Sequence, residues 1–548
     1  MLKRTARPLL PLALGATLAV TAVTASTAAE AAVPGTAAAV HRADGPTVRT
    51  DKGLVRGAVT DTVRTFQGIP YAAPPTGERR WAPPAPVRRW SGVREATRPG
   101  SACPQTGAIG PLGPHSDDED CLSLNVTTPR TAAVRPRAVM VYLHGGDHSD
   151  GAGSMHGARR LAAQGDVVVV TVNYRLGALG YLAHPDLERR GESGNYGFLD
   201  QQEALRWVRR NAAAFGGDPH DVTLFGESAG GHSSCAHLVA PSSAGLFDRV
   251  ILQSAPCTGP DGGRERATAL RDGERTAAGI TDRLKGDGVP GADWHTAGTE
   301  YLVRPPFGPE PAYGPSYGGA LLPRTPREAF ASGRFNRVPV LLGTTRDEER
   351  GRVNAMEGMK KATTGDPQAR LDRADVLAAL GTEFGAERAG VIAAHYPADA
   401  YGGSYALALA AALTDGKWAR HAVDMGRALS AHSPTYTYEF AEADVPWYSD
   451  PSIPKPAGPK GAPHTFDLPY LFELDTYEQL NPAQRALSDD MIRIWTDFAR
   501  TGKPGSTAEW KPTTPAAVNA LALASGPNGI RPVDFAKDHR YGFWKSLG

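Results

Sequence analysis

The stretch VTLFGESAGGHSS, residues 222–234, places a serine between glycines directly after a short apolar run. Residues 222–225 predict a buried strand, and the residues after Ser228 predict a helix. On a sharp strand-to-helix turn, flanking glycines let the backbone pass closely, and the serine hydroxyl is held exposed above the sheet as a nucleophile. The pattern G-x-S-x-G is weak evidence alone, because glycine supplies 62 of the 548 residues.

A second match to the same pattern, GPSYG at 314–318, lacks the required surroundings. Pro315 precedes Ser316, and the segment ALLPRTP that follows cannot form a helix because of its prolines. Ser228 is therefore the candidate nucleophile.

The segments around this turn alternate between strand and helix patterns. Apolar runs that predict buried strands occupy 138–146, 167–177, 249–255 and 337–345. Helical patterns occupy 200–215 and 487–504. This alternation predicts a large, mostly parallel twisted sheet flanked by helices. Residues 47–71 alternate like a small antiparallel sheet, and 258–320 is interpreted as an insertion over the main sheet.

The first residues have the layout of a secretory signal peptide. A basic start that contains Lys3 and Arg4 is followed by an apolar run and an A-x-A site ending at Ala31. A membrane anchor is the weaker alternative, since the apolar core is short and rich in Ala and Thr. We therefore expect a signal peptide at 1–31, a flexible leader at 32–46, and a single secreted domain at 47–548 without membrane anchoring.

Charge and cysteine content narrow the function classes. The net charge of +1 gives no general attraction to nucleic acid. Cys103, Cys121, Cys235 and Cys257 form two close pairs in sequence, and an exported chain favours disulfides over the alternative of buried thiols. No C-x-x-C spacing occurs, so a zinc site is not expected.

A serine nucleophile needs a base, and the base needs an acid that orients it. In folds with this turn the order along the chain is serine, acid, histidine. The segment after the late strand offers Asp347, Glu348 and Glu349, and order alone leaves these three open.

Five histidines lie beyond the acidic segment, at positions 395, 421, 432, 464 and 539. His421 falls inside a helical pattern, and the histidines at 395 and 432 fall at probable helix ends. His464 lies in a loop, between a Pro/Gly-rich stretch and a short aromatic segment, and is the preferred base.

The oxyanion of an ester's tetrahedral intermediate needs backbone N–H donors. One is predicted at Ala229, after the serine, and the others in the glycine-rich loop HGGDHSDG, 144–151. Four side chains of this loop also suggest a metal site, but no regular spacing brings them together: His144, Asp147, His148 and Asp150. We expect neither a metal nor an organic cofactor.

These motifs together resemble the type-B carboxylesterases, a family of cholinesterase-like α/β-hydrolases. The matching segments run in family order from about residue 47 to the C-terminus: FQGIPYAAPPTGERRW (66–81), EDCLSLNV (119–126), NYRLGALGYL (173–182), FGESAGG (225–231), RVILQSA (249–255), LLGTTRDEE (341–349) and LSDDMIRIWTDFARTGKP (487–504). The resemblance implies an α/β-hydrolase fold, with Glu348 as the acid and His464 as the base.

The resemblance also implies scaffold contacts. It implies a disulfide between Cys103 and Cys121, and ion pairs Arg80–Glu119 and Arg175–Asp200. A second disulfide, between the cysteines at 235 and 257, is added on their proximity in sequence.

Two departures from the family pattern bear on the substrate. Asp147 stands where the family loop has a third glycine, so the expected donors are the N–H groups of Gly146, Asp147 and Ala229. A carboxylate that pointed inward would repel the oxyanion, and the change is expected to narrow or tune the acyl pocket. The loop between Cys103 and Cys121 contains no aromatic residue for a cation–π contact, which argues against a choline substrate.

The expected function is a secreted serine carboxylesterase that acts on small-molecule esters through an acyl-enzyme. Glu227 and Ser254 are expected to lie next to the catalytic residues and to help hold them in position. The alternative for Glu227 is that it only caps the start of the helix. A lipase, or another ester, amide or carbamate hydrolase, is the alternative enzyme. A non-catalytic binding protein on the same scaffold is the alternative class, disfavoured because Ser228, Glu348 and His464 are all present.

Overall fold

The computed structural model describes residues 45–107, 113–132, 134–188, 193–259, 263–303, 313–451, 453, 455–456, 459–505 and 510–548. They belong to one compact unit, Gly45–Gly548. The predicted signal peptide, 1–31, and the predicted leader up to residue 44 lie outside the described residues.

The strands of the described residues are short, and most are buried. They are β1 (Thr47–Arg49), β2 (Leu54–Arg56), β3 (Ala58–Val59), β4 (Val63–Pro70), β5 (Val93–Glu95), β6 (Ser123–Pro129), β7 (Arg137–Leu143), β8 (Val168–Val172), β9 (Gly217–Glu227), β10 (Arg249–Gln253), β11 (Arg264–Glu265), β12 (Ser316–Tyr317), β13 (Val340–Thr345), β14 (Thr435–Phe440), β15 (Ala520–Leu523) and β16 (Arg531–Val533).

Eleven of these strands form the main sheet, in the order β16-β15-β14-β13-β10-β9-β7-β8-β6-β4-β3. The seven strands from β15 to β8 in this order pair in parallel. Pairing is antiparallel at both edges, through β15–β16 on one side and β8–β6, β6–β4 and β4–β3 on the other. The sheet is that of an α/β-hydrolase, and it confirms the predicted fold class.

The helices cover both faces of this sheet. They are α1 (Arg159–Gly165), α2 (Gly177–Tyr181), α3 (Tyr196–Asn211), α4 (Ala229–Val239), α5 (Arg266–Gly286), α6 (Thr299–Leu302), α7 (Pro326–Ser332), α8 (Arg350–Thr364), α9 (Arg373–Phe384), α10 (Ala386–His395), α11 (Tyr405–Leu413), α12 (Arg420–Ser430), α13 (Pro482–Thr501), α14 (Phe535–Asp538) and α15 (Tyr541–Ser546).

The continuous apolar run of β7 shows why the sheet is covered on both sides. Val139 and Val141 pack into one core with side chains of α3 and α4, whereas Met140 and Tyr142 pack into a second core with α1 and α13. Successive side chains of a strand point to opposite faces, so a strand buried on both sides must be apolar throughout. The amphipathic pattern of 487–504 becomes α13, whose apolar face closes the second core.

The small N-terminal sheet differs from the prediction in one pairing. Strands β1 and β2 pair antiparallel, as predicted, but β5 joins β2 in parallel, so this sheet is mixed. A long connection joins β2 to β5, and a long connection allows either strand direction. A tight hairpin would allow only antiparallel pairing. Strands β3 and β4 of the same N-terminal segment belong to the main sheet.

The predicted covalent and ionic scaffold is present. Cys103–Cys121 and Cys235–Cys257 form disulfides. The guanidinium of Arg175 donates two hydrogen bonds of 2.7 Å to Asp200 in the buried core. Arg80 also pairs with its predicted partner, Glu119.

The described residues contain no helix that is long and apolar enough to cross a membrane.

Candidate active site

Ser228 occupies a strained turn between β9 and α4. Its φ of 54° and ψ of −123° lie where few non-glycine residues are found. A Cβ at Gly230 would collide with the carbonyl oxygen of Leu143, and one at Gly226 with the backbone of Gly230. The two glycines are therefore required by close backbone approach, and they hold Ser228 at the carboxyl end of the sheet's central strands.

The other G-x-S-x-G serine has a different environment. Ser316 begins the two-residue strand β12 and is buried, with its N–H donated to the side-chain oxygen of Asn195 at 2.9 Å. No helix follows it in the described residues until α7. The structure thus separates the two motifs as the sequence predicted.

Glu348 and His464 meet at this same edge of the sheet. Nδ1 of His464 lies 2.6 Å from Oε2 of Glu348, although the two residues are 116 positions apart. The other carboxylate oxygen of Glu348 accepts the N–H of Thr345 at 2.8 Å, and the Glu348 side chain is fully buried. The carboxylate therefore fixes the imidazole with Nδ1–H as donor and Nε2 available for proton transfer.

The neighbouring acids have other partners. Asp347 pairs with Arg350 at 2.5 Å and accepts the N–H of Ala462 at 3.0 Å. Glu349 accepts the indole N–H of Trp418 at 2.8 Å. Of the three acids that the sequence left open, Glu348 is the one that hydrogen bonds with His464.

The four other candidate histidines lie elsewhere in the fold. His421 is buried in α12, and His395 ends α10, with its ring stacked on an aromatic ring of α15. His432 lies near Phe335. His539 is buried between two carboxylates, those of Asp415 and Glu439.

The Nε2 edge of His464 is turned toward the residue next to the nucleophile. Nε2 lies 3.3 Å from Oε1 of Glu227, without the geometry of a hydrogen bond. Within the described part of the chain, no hydrogen bond joins the Ser228 hydroxyl to His464. Glu227 thus faces the imidazole directly, and it does not cap helix α4.

Burial and charge perturb this group of residues. Burial raises the pKa of Glu227 to about 8 and that of Asp467 to about 6. Burial lowers the pKa of His464, but the carboxylates of Glu227 and Glu348 outweigh it and raise that pKa to about 9. The site therefore holds a proton on the imidazole more tightly than an isolated histidine would.

The glycine-rich loop after β7 lies directly against the nucleophile. A Cβ at Gly145 would come within 3.2 Å of the Cβ of Ser228. Gly146 and Asp147 both have positive φ, 101° and 55°, so the loop backbone turns sharply here. The Asp147 side chain is exposed. Gly146, Asp147 and Ala229, the last of which begins α4, stay the predicted oxyanion donors.

The histidine side chains of this loop contact different partners. The His144 ring stacks on Tyr174 at 4.4 Å, and Nε2 of His148 lies 3.0 Å from the hydroxyl of Ser233. Burial lowers the pKa of His144 to about 4 and that of His148 to about 3. Among the described residues, no group of three or more His, Cys, Asp or Glu side chains is arranged to hold a metal ion.

Ser254 follows β10, next to β9, and is buried with a positive φ of 46°. Its N–H donates to the carbonyl of Gly343 at 2.8 Å. No hydrogen bond from its hydroxyl to His464 or Glu227 is present in the described residues. The buried hydroxyl has no hydrogen-bond partner among the described residues, so support of His464 by Ser254 stays a prediction.

Sequence reasoning missed two residues that bear on His464. Asp467 is fully buried and accepts a hydrogen bond of 2.7 Å from Gln253, and its charge also acts on His464. Its position three residues after the histidine was the available signal. The Trp418 ring packs against the His464 ring at 4.8 Å between centroids. No local pattern marks Trp418, because it is 46 residues away in the chain.

An apolar cavity of about 590 Å³ opens beside His464. Its walls are α8, the loop at 463–466, and the aromatic side chains of Trp418, Trp447 and Tyr448. This size and lining are typical of a pocket for a small organic ligand.

The chain is similar to known proteins over most of its length. A model of the Carboxylesterase family matches residues 44–280 and 297–544. The chain is 34% identical over 482 residues to a para-nitrobenzyl esterase of Bacillus subtilis (strain 168), with 84% of this chain and 91% of the relative covered. It is 32% identical over 489 residues to an acylcarnitine hydrolase of Mus musculus, with 84% of each covered.

A third relative and two solved structures extend the comparison. A fumonisin B1 esterase of Sphingopyxis macrogoltabida is 33% identical over 492 residues, with 84% of this chain and 83% of the relative covered. A solved PNB esterase superimposes with a TM-score of 0.71 at 31% identity, over 91% of this chain and 99% of that one. A thermophilic PNB esterase gives the same TM-score and the same coverage at 30% identity.

Proposed function

The chain belongs to the carboxylesterase family and is a carboxylic ester hydrolase, and on this premise we propose that it cleaves esters with Ser228, His464 and Glu348 as a catalytic triad. The observation that carries the proposal is the 2.6 Å contact between His464 and Glu348 at the sheet edge that bears the Ser228 turn. The three residues come from separate segments of the chain. A buried carboxylate that pairs with a histidine beside such a turn is the arrangement that a triad requires.

The first half of the reaction forms an acyl-enzyme. The Ser228 hydroxyl oxygen attacks the ester carbonyl carbon while Nε2 of His464 takes its proton. The resulting imidazolium is stabilised by Glu348 on one edge and by Glu227, 3.3 Å away, on the other. His464 then gives its proton to the alkoxide oxygen as the carbon–oxygen bond breaks, and the alcohol leaves.

The second half releases the acid. His464 takes a proton from a water molecule, and the water oxygen attacks the acyl carbon. Collapse of the intermediate returns the proton to Ser228 and frees the carboxylic acid. In both halves the N–H groups of Gly146, Asp147 and Ala229 bind the oxyanion. This assignment is supported by the close approach of the loop at Gly145 to Ser228 and by the position of Ala229 at the start of α4.

The substrate is an ester of a small molecule with an apolar alcohol portion. His464 must protonate the leaving oxygen, so the alcohol lies on the histidine side of the site. We assign the alcohol to the cavity of about 590 Å³, which has His464 in its wall and is lined mainly by apolar and aromatic side chains. The chain's relatives are named for para-nitrobenzyl esters, acylcarnitines and fumonisin B1, which differ widely in size.

The enzyme is secreted. This part of the proposal is supported by the signal-like layout of 1–31 and by the two disulfides, which form and persist in oxidising compartments. N-terminal sequencing of protein from the culture medium tests it. A mature N-terminus directly after Ala31 is expected, and intact protein confined to the cytoplasm would contradict it.

The triad is tested by replacing each of the two G-x-S-x-G serines. Ser228→Ala is expected to lower turnover of p-nitrophenyl acetate by at least about 10⁴-fold, because the nucleophile is lost. Ser316→Ala is the matched control and is expected to keep turnover. Mass spectrometry after treatment with an organophosphate should find the adduct on Ser228. Retained turnover in Ser228→Ala, or an adduct at another serine, would end the assignment.

A further inference from the structure

Glu349 follows Glu348 directly in the chain but has different partners. It is buried, and Oε1 accepts the indole N–H of Trp418 at 2.8 Å. Two cations hold the carboxylate in place: Lys417 at 3.3 Å and Arg352 at 3.1 Å. Burial raises the pKa of Glu349, but Lys417, Trp418 and Arg352 outweigh this and lower it, so the acceptor is ionised.

Trp418 connects this carboxylate to the catalytic base. Its ring lies 4.8 Å from the ring of His464 between centroids, with the planes tilted by 45°. The His464 side chain is 25% exposed in the presence of this contact. Glu348 holds one edge of the imidazole, whereas Trp418 limits how far the ring can tilt about that hydrogen bond.

The backbone that carries Trp418 is unusual and firmly anchored. Thr414–Ala419 form a π-helical turn between α11 and α12. The hydroxyl of Thr414 accepts the N–H of Glu349 at 3.1 Å, and Asp415 pairs with His539 at 2.5 Å. A Cβ at Gly416 would collide with the rings of Phe384 and Trp544. Single π-helical turns are rare and occur often at functional sites.

We propose that Glu349 and Trp418 are positioning residues for His464, with Glu349 acting only through the indole that it holds. Two consecutive residues of one loop then orient the base from two directions. Glu348 fixes the Nδ1 edge, and Glu349 fixes the aromatic surface against which the ring rests. The inference depends on the proposed role of His464 and concerns the alignment of Nε2 with the reacting oxygen atoms.

The physical basis is the sensitivity of proton transfer to geometry. General base catalysis needs the nitrogen within hydrogen-bond reach of the proton, and displacement by about 1 Å can lower the rate by about 100-fold. An aromatic face also stabilises a neighbouring imidazolium, the form that exists during attack by Ser228. Loss of the indole's anchor is therefore expected to lower kcat.

The test compares four variants with p-nitrophenyl acetate, normalised to active sites titrated with an organophosphate. Glu349→Ala and Trp418→Ala are each expected to lower kcat by about 10- to 100-fold. KM is left out of this comparison, because both side chains line the cavity that is assigned to the alcohol. The double variant is expected to resemble Trp418→Ala, because Glu349 has no other route to His464. Glu349→Gln keeps an acceptor for the indole N–H and is expected to restore most of kcat.

Glu383→Gln is the matched control. Glu383 pairs with the same Arg352 and Lys417 but does not contact Trp418. It tests whether loss of the ion-pair network by itself changes catalysis, and kcat is expected to stay within about twofold. Should Glu349→Ala fail to fold, Trp418→Phe carries the test, since it keeps a ring on His464 but has no N–H for Glu349. In that background Glu349→Gln should change nothing further.

The pH profile supplies a readout that a purely structural role would not move. Trp418→Ala is expected to shift the acid limb of kcat/KM, which reports His464, whereas Glu383→Gln should leave it in place. Additive losses in the double variant, or a Glu349→Ala enzyme as active as Glu383→Gln, would overturn the inference. Failure of the triad itself would be distinguishable, because Ser228→Ala would then retain turnover and the organophosphate would not label Ser228.

Discussion

Replacement of Glu227 by glutamine should move the acid limb of the pH–rate profile to lower pH. The Glu227 carboxylate faces Nε2 of His464 at 3.3 Å and is among the charges that raise the pKa of this imidazole to about 9. A histidine whose pKa is raised stays protonated, and inactive as a base, over a wider pH range. Glutamine keeps the size of the side chain but removes the charge, so His464 becomes available as a base at lower pH.

The size of the shift follows from the distance. Two unit charges 3.3 Å apart interact by about 1 kcal/mol at the dielectric constant of water and by about 5 kcal/mol at an effective value of 20. The lower end applies, because His464 is 25% exposed and because Glu227, with a pKa of about 8, is itself protonated over part of the range. Since 1.36 kcal/mol corresponds to one pKa unit, the acid limb should fall by about one pH unit.

The assay is kcat/KM for p-nitrophenyl acetate across the pH range, which reports the free enzyme's essential base. Asp467→Asn is the graded control, since the charge of Asp467 contributes less to the pKa of His464 than Glu227 does. Its limb should move in the same direction by a smaller amount. At pH values below the plateau of the profile, Glu227→Gln should keep a larger fraction of its maximal kcat/KM than the wild type does. Its kcat should nevertheless fall, because the imidazolium loses one stabilising charge. An acid limb that stays in place, or that moves to higher pH, would refute the electrostatic reasoning.

Four further outcomes are expected. Replacing Cys235 and Cys257 together by serine should lower the free energy of unfolding by about 3 kcal/mol, seen as a fall of about 3 °C in Tm, because the disulfide closes a loop of 22 residues. His539→Gln should cost about 3–5 kcal/mol, since it breaks a buried contact with two carboxylates. In the folded protein the pKa of His539 is raised to about 10. The difference in Tm between the wild type and His539→Gln should therefore be full below about pH 6.5 and should shrink as the pH rises toward 10. Gly358 lines the cavity, and a Cβ placed on it meets open space. Gly358→Phe should raise KM for benzyl esters by about tenfold and leave KM for methyl esters unchanged. Equal effects on both esters would contradict the assignment of this cavity to the alcohol. Asp147→Gly should keep the fold, since φ is 55° there, and should raise kcat/KM for esters of bulky acids several-fold if the aspartate narrows the acyl pocket.

The site was predictable where its signals were local. The turn at Ser228 combines a strand, two closely spaced glycines and a helix within thirteen residues. A nucleophile on such a turn can be recognised without knowledge of any tertiary contact. The apolar runs at 138–146 and 167–177 predicted strands buried on both faces for the same reason, and they became β7 and β8. The disulfide partners are also near in sequence, 18 and 22 residues apart.

The pairing of His464 with Glu348 lay beyond local reasoning. Residue order left three acids open, and the family resemblance selected one of them. In the structure the choice is made by which carboxylate faces the loop at 463–466, because Asp347 is drawn to Arg350 and Glu349 to Trp418. The direction of each side chain depends on contacts over distances of up to 116 residues.

By itself, the sequence determined that this protein is a large α/β enzyme with a serine held on a strained turn. Hydrophobic periodicity and the steric freedom of glycine act between neighbours in the chain, so they can be read in order. Only the tertiary structure decided that Glu227 faces the imidazole of His464, that Trp418 packs against it, and that β5 joins the small sheet in parallel. These contacts join segments far apart in sequence, and their geometry is fixed only when the whole core packs.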